Sequence, residues 1–180
     1  MFSAAAESAT RKLTPLMTLS EFNSLTPEQA AEALRPCVDI SRWVTSLVDA
    51  RPFPSRTALL DCAAAAAPGW TEAEIDRALG HHPRIGEQPA GPSAEARHSR
   101  SEQAGLTASD GTTALIAAGN RAYEHKFGRV FLIRAKGRTA EDILRALRQR
   151  LENHPAQETP IIAHELRNIA LLRLEGIVTS

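Results

Sequence analysis

Helix-start signals recur along this chain so closely that only a stack of short helices can accommodate them. Thr26-Pro27-Glu28-Gln29 sets a capping Thr three residues ahead of a Gln, with Pro at the first helical position, and predicts a helix to about Leu34. Thr71 and Glu74 repeat the box ahead of an apolar stripe of Ile75, Ala78 and Leu79, which Gly80 ends. Ser41 is placed to cap a helix carrying Trp43, Val44, Leu47 and Val48 at helical spacing. Ser55 opens another, through Leu59, Leu60 and the alanines at 63–67, to a stop at Pro68-Gly69. Ser93 caps a short helix to about Ala104. Asp110 or Thr112 begins a longer one with Leu115, Ile116, Ala118, Ala122, Tyr123 and Phe127, closed by Gly128. Thr139 begins a helix with Ile143, Leu144, Leu147 and Leu151, and Thr159-Pro160 begins the last, to about Val178.

Strand signals are scarce. Aromatic residues make up only 4% of the chain, and alanine stands where β-branched and aromatic residues would be needed to fill a sheet. The apolar run at 130–135 has no convincing partner strand, so it is expected as an extended segment packed between helices. The expected fold is all-α: a single compact domain of about eight helices with one short extended segment near 130–135.

At 180 residues, one domain can bury a sizeable core without staples. The 21 Lys and Arg against 21 Asp and Glu leave no formal net charge, which argues against nucleic acid or an anionic membrane surface as partner. No stretch approaches the roughly 20 apolar residues of a membrane span. Cys37 and Cys62 lie in apolar helical sequence and read as free thiols in a reducing compartment, not as a disulfide or metal site. Residues 1–16 are small, polar and aperiodic. They are expected to be a disordered leader, with Met17 as an alternative start, ahead of a single domain over 17–180. A homodimer stays open, because dimer surfaces need not show in composition.

Three places can carry chemistry. The loop at 81–93 begins His81-His82-Pro83-Arg84-Ile85-Gly86, and Pro83 restricts the backbone of His82. A fixed imidazole is what acid–base work requires, although a His after a helix end also suits the helix dipole, as at His81. Adjacent histidines rarely chelate one ion, and no third ligand lies at regular spacing. Ser99, Glu102 and Gln103 fall at i, i+3 and i+4 and share one helix face, which can be a polar site or an ordinary solvated face. In the last helix, Ile162, Leu166, Ile169 and Ile177 form an apolar stripe that contains Arg173. A bare guanidinium there is costly. It must snorkel out or meet an anion, either a protein carboxylate such as Glu102 or a carboxylated ligand.

At these residues the chain resembles a known family. Leu19-Ser20-Glu21-Phe22-Asn23 with Leu25, Arg51-Pro52-Phe53, His82-Pro83-Arg84-Ile85-Gly86, and Ser99 with Glu102-Gln103 occur in order. Asn120 with Tyr123-Glu124, Lys126-Phe127-Gly128, Val130-Phe131-Leu132-Ile133 with Gly137-Arg138, Glu165-Leu166 and Leu172-Arg173-Leu174 follow. Together, from about Leu19 to about Ile177, they resemble the decarboxylases of urate degradation that act on 2-oxo-4-hydroxy-4-carboxy-5-ureidoimidazoline (OHCU).

The resemblance implies an all-helical lyase without cofactor or metal, acting on a small-molecule substrate in the last step to (S)-allantoin. It maps the catalytic set onto His82, Glu102 and Arg173. Substrate contacts map onto Pro83, Ser99, Arg100, Ser101 and Gln103, and onto backbone groups across Ile133, Arg134, Ala135, Lys136 and Gly137. On this reading His82 serves the substrate hydroxyl and carboxylate, Glu102 delivers a proton to the ureido carbon and Arg173 clamps the anion. The two acid–base roles can also be exchanged. Arg173→Leu is then expected to weaken substrate binding while making the stripe wholly apolar and the fold more stable. The ending Val178-Thr179-Ser180 is not a peroxisomal Ser-Lys-Leu, so a cytoplasmic enzyme is expected. Without the resemblance, the leading reading is a helical interaction module, and a metal hydrolase using His81, His82 and His98 is more distant. An interaction module would expose an apolar helix face, whereas an enzyme would gather His82, Glu102 and Arg173 around a closed pocket.

Overall fold

Short polar side chains start most of the helices. The computed structural model describes residues 16–80, 82–87, 94–104 and 108–179, with only the backbone at 94–95. Thr18 caps α1 (Leu19–Ser24), Thr26 caps α2 (Pro27–Leu34), Ser55 caps α4 (Arg56–Ala65) and Thr71 caps α5 (Glu72–Leu79). Thr139 caps α8 (Ala140–Leu151), and each of these five hydroxyls accepts an N–H from the first turn. Between them lie α3 (Ser41–Asp49), α6 (Ala94–Gln103) and α7 (Asp110–Phe127), and α9 (Pro155–Ile177) ends the series. The fold is all-α, and no described helix is long and apolar enough to cross a membrane.

Nine helices stand among the described residues, against about eight expected. The additional one is α1, whose Thr18–Glu21 box is as explicit as the others but opens only six residues. Ser41 is the first residue of α3, not its cap, and Ile40 in the cap position supplies no side-chain bond. The cap of α7 is Ser109, one residue before the expected Asp110. Gly80 closes α5 in a right-handed conformation, whereas Gly128 ends α7 left-handed at φ 67°. The segment 130–135 forms no ladder, as expected, but β1 (Met17–Thr18) and β2 (Val178–Thr179) make a short parallel pair that was not foreseen. Ser93, His81 and the leader lie outside the described residues, apart from exposed Leu16.

The last helix begins at Pro155, a full turn before Thr159-Pro160. Pro160 inside α9 forfeits a backbone bond, and a buried polar network offsets that loss. Glu158, 1% exposed, receives Arg150 Nε at 2.6 Å, Asn153 Nδ2 at 2.7 Å and the Tyr123 hydroxyl. Burial raises the Tyr123 pKa, as does its bond to Glu158, so the hydroxyl keeps its proton and donates.

Apolar packing divides into two clusters. The larger gathers Phe22, Leu34, Trp43, Leu47, Leu59 and Leu166 from α1 to α4 and α9, and α5 adds Ile75. The smaller joins α7 and α8 through Tyr123, Ile143 and Leu147, with Phe131, Ile133 and Ile85 against them. Residues 82–87 and 130–135 run along the seam. Asn23 exchanges two hydrogen bonds with the Phe53 backbone, both 2.9 Å, and Arg51 donates to the Phe22 and Leu25 carbonyls, so these motif residues fasten α1.

The approach of α7 to α8 depends on Gly119, where a Cβ would collide with the buried Leu147 side chain. Gly119→Ala is expected to cost about 1–3 kcal/mol in chemical denaturation. The double variant Gly119→Ala/Leu147→Ala should lose less than the sum of the two single changes.

Candidate active site

Helix α6 has no Leu, Ile, Val or aromatic residue; its sequence is AEARHSRSEQ. Hydrophobic burial therefore contributes little to its placement, and Arg173 of α9 supplies a polar attachment. Arg173 is 4% exposed. Its Nε donates to Glu102 Oε1 at 2.7 Å and Nη2 to Glu102 Oε2 at 3.2 Å, a two-point fork. Nη2 also donates to Ser99 Oγ at 3.2 Å, and Nη1 to the Pro36 carbonyl at 3.2 Å. The anion that the stripe of α9 called for is thus a protein carboxylate in this state. Cys37 is buried near the same pair. Burial pushes its thiol up to about 12, opposed by Arg173 and assisted by Glu102, so it stays protonated. Cys62 is also a free thiol.

The His82 loop closes the opposite side. The His82 N–H bonds the Leu79 carbonyl at 2.9 Å, which folds the chain back off the end of α5. Three side chains hold the loop. Asn120 Nδ2 donates to the Ile85 carbonyl at 2.9 Å, Gln103 Oε1 accepts the Gly86 N–H at 3.0 Å, and Arg84 pairs with Glu124. The Arg84 guanidinium holds the Glu124 carboxyl below the usual carboxylate range. Gly86 has φ 84°, a left-handed turn that favours glycine.

Loop, helix and extended segment enclose a narrow cleft of about 20 Å³ in the seam between the two clusters. Of the residues singled out in the sequence, His82, Pro83, Ser99, Glu102, Gln103, Ile133 and Ala135 line it, joined by Leu132 and Ile169. Arg173 sits behind Glu102 and Ser99 and is not part of the wall. Arg100 is half-buried and Ser101 exposed, and neither lines the cleft. Arg134, Lys136 and Gly137 are exposed, and Arg134 borders a different depression with His164 and Glu165. A larger groove of about 1020 Å³ lies between α5 and the start of α9. Its cation, Arg129, is already paired with Asp76 and Glu72, and none of the catalytic or substrate-contact residues expected from the sequence lines it. Among the described residues, no three His, Cys, Asp or Glu side chains gather as metal ligands. The large apolar side chains exposed there are Leu16 and Leu115, far short of an interaction face.

Sequence reasoning left the supports of this site unassigned. Arg150 donates to the Leu132 carbonyl at 2.7 Å and lies over the Phe131 ring at 4.7 Å. It follows Ile143 and Leu147 at helical spacing, so a second arginine inside an apolar stripe was there to be read.

Comparison with known proteins agrees on fold and family. A crystal structure of (S)-allantoin synthase superposes with a TM-score of 0.68 at 17% identity, covering 91% of this chain and 54% of that one, and so shares its fold. A crystal structure of OHCU decarboxylase in the presence of (S)-allantoin gives 0.65 at 29% identity, over 80% of this chain and 94% of that one. The OHCU decarboxylase of Amia calva is 31% identical over 166 residues, 90% of this chain and 95% of that protein. The uric acid degradation bifunctional protein TTL of Arabidopsis thaliana is 42% identical over 110 residues, 58% of this chain, and the match spans 32% of that longer protein. The family model described as OHCU decarboxylase matches residues 23–175, and the chain belongs to that family.

The fork reverses one expectation. Arg173→Leu leaves Glu102, Ser99 and the Pro36 carbonyl without their donor, so it is expected to destabilise the fold by about 3 kcal/mol in chemical denaturation. Arg173→Leu/Glu102→Leu should lose less than the single change. Glu124 gives a pH signature. A carboxyl lowered in the folded chain adds stability above its ordinary value of about 4.3, and that contribution is lost as pH falls through the lowered value. Melting temperatures should therefore fall less steeply for Glu124→Gln than for wild type between about pH 5 and about pH 3; equal slopes would show that the pair contributes nothing.

Proposed function

We infer that this chain converts OHCU to (S)-allantoin and carbon dioxide without a cofactor, the closing step of urate degradation. The substrate carries its carboxylate and hydroxyl on one ring carbon, beside an imine carbon that bears the ureido group. As carbon dioxide leaves, the electron pair of the broken C–C bond forms a C=C bond to the imine carbon, and the imine nitrogen keeps the displaced pair and takes a proton from solvent. The substrate thus supplies its own electron sink. The protein has to orient the carboxylate, take the hydroxyl proton and protonate the ureido carbon from one side.

The observation that carries this reading is that His82 and Glu102 border one cleft, with both oxygens of Glu102 held by Arg173. Two bonds from one guanidinium fix the direction of the Glu102 oxygens, and an oxygen so aimed is placed to receive the hydroxyl proton. His82 is then the group that protonates the ureido carbon, the exchange of roles that the sequence left open. Arg173 acts by aiming Glu102 and Ser99, and Gln103 ties α6 to the His82 loop. Phe131, Leu132 and Ile169 keep the reacting carbon away from water. The cleft must widen to admit a ring that carries carboxylate, hydroxyl and ureido groups. The same reading places the enzyme in the cytoplasm, where free Cys37 and Cys62 stay reduced.

The test generates OHCU in situ with urate oxidase and the ring hydrolase and follows the circular dichroism of the allantoin formed. The wild-type chain should accelerate the reaction and yield one enantiomer. His82→Ala should return the rate to that of spontaneous decay, a loss of at least about 100-fold, with its helical spectrum intact. Racemic product at the uncatalysed rate from the wild-type chain would overturn the assignment.

A further inference from the structure

The segment at 131–135 has two hydrogen-bonding edges, and the protein occupies one of them. Arg150 Nη1 donates to the Leu132 carbonyl at 2.7 Å, and Glu165 Oε2 accepts the Arg134 N–H at 2.8 Å. In an extended chain, the C=O of one residue and the N–H two residues on point to the same side. Both groups of the residue between them point to the other. The Ile133 N–H and C=O therefore lie on the opposite edge. They have no protein partner among the described residues, although Ile133 is 5% exposed and lines the cleft. Both anchors depend on α9. Glu165 belongs to it, and Glu158, about two turns earlier on the same face, holds Arg150.

We propose that Glu165 and Arg150 are positioning residues that occupy one edge of 131–135 and so present the Ile133 N–H and C=O to an N–H–C=O unit of the substrate. This rests on the decarboxylase reading, under which the ureido group or the ring amide offers that donor–acceptor pair. A buried backbone N–H without a partner is costly, so a ligand that pairs with it gains correspondingly. The rigid Arg150 clamp fixes the Leu132–Ile133 peptide plane, and Glu165 fixes the next one.

Glu165 gives the cleaner test, because Arg150 is bound into the core through Glu158. Steady-state kinetics on OHCU generated in situ would compare wild type, Glu165→Ala and Glu165→Gln. Glu165→Ala should raise KM about tenfold, the worth of one misplaced hydrogen bond, and change kcat far less. Glu165→Gln keeps an oxygen that can accept the Arg134 N–H, so its KM should return to within about twofold of wild type. An unchanged KM in Glu165→Ala, with or without a lower melting temperature, overturns the proposal. So does a Glu165→Gln as impaired as Glu165→Ala, since loss of the charge near Arg138 would then explain the effect. A wild-type chain without turnover overturns the decarboxylase reading and this proposal together, whereas an active wild type with unaffected variants overturns this proposal alone.

Discussion

The fork between Arg173 and Glu102 is a buried two-point bond that ties α6 to α9. An amphipathic helix docks because its apolar stripe leaves water, and α6 has no such stripe. Among its described side chains, Ala96 and Ser99 are buried, and Ser99 is itself bonded to Arg173. Position is thus set by directional, charge-assisted bonds in a place where neighbouring apolar residues exclude water and strengthen them. That guanidinium braces one wall of the cleft and also holds the Pro36 carbonyl at the end of the α2 region.

The other walls obey the same rule. Asn120 holds the Ile85 carbonyl and Arg150 the Leu132 carbonyl, so each irregular segment at the seam is fastened by a buried side chain from a regular helix. Loops and ladder-free strands leave backbone groups unpaired, and each one left so between two apolar clusters is costly. The supports lower that cost. They also fix the orientation of the peptide planes, which apolar contacts alone would leave loosely defined.

Much of this was legible in the sequence because it is local. Capping boxes at Thr26 and Thr71, the helix start at Thr139 and the glycine stop at Gly128 depend on residues a few positions apart, and the structure has helices at each. The boundary of α9 was missed because Pro155 and Pro160 compete as starts, and the winner is decided by Glu158 meeting Arg150 and Tyr123 from other helices. Arg173 could be located as an inward charge from its stripe, and Glu102 could be suggested as its anion. The Pro36 carbonyl could not, since nothing in the sequence brings it alongside α9. The clustering of His82, Ser99, Glu102 and Gln103 came from family resemblance more than from spacing, because the contacts that join their elements are long-range.

The small parallel pair of Met17–Thr18 with Val178–Thr179 carries a consequence for gene architecture. It sets the two ends of the described fold side by side, with Arg56 donating to the Val178 carbonyl at 2.8 Å. A unit whose ends meet can be spliced between, before or after other folded units without stretching its own chain, because the incoming and outgoing strands leave through one doorway. That doorway is built from the ends of the fold, and none of its residues lines the cleft. A match confined to about a third of the longer bifunctional relatives fits such a portable unit.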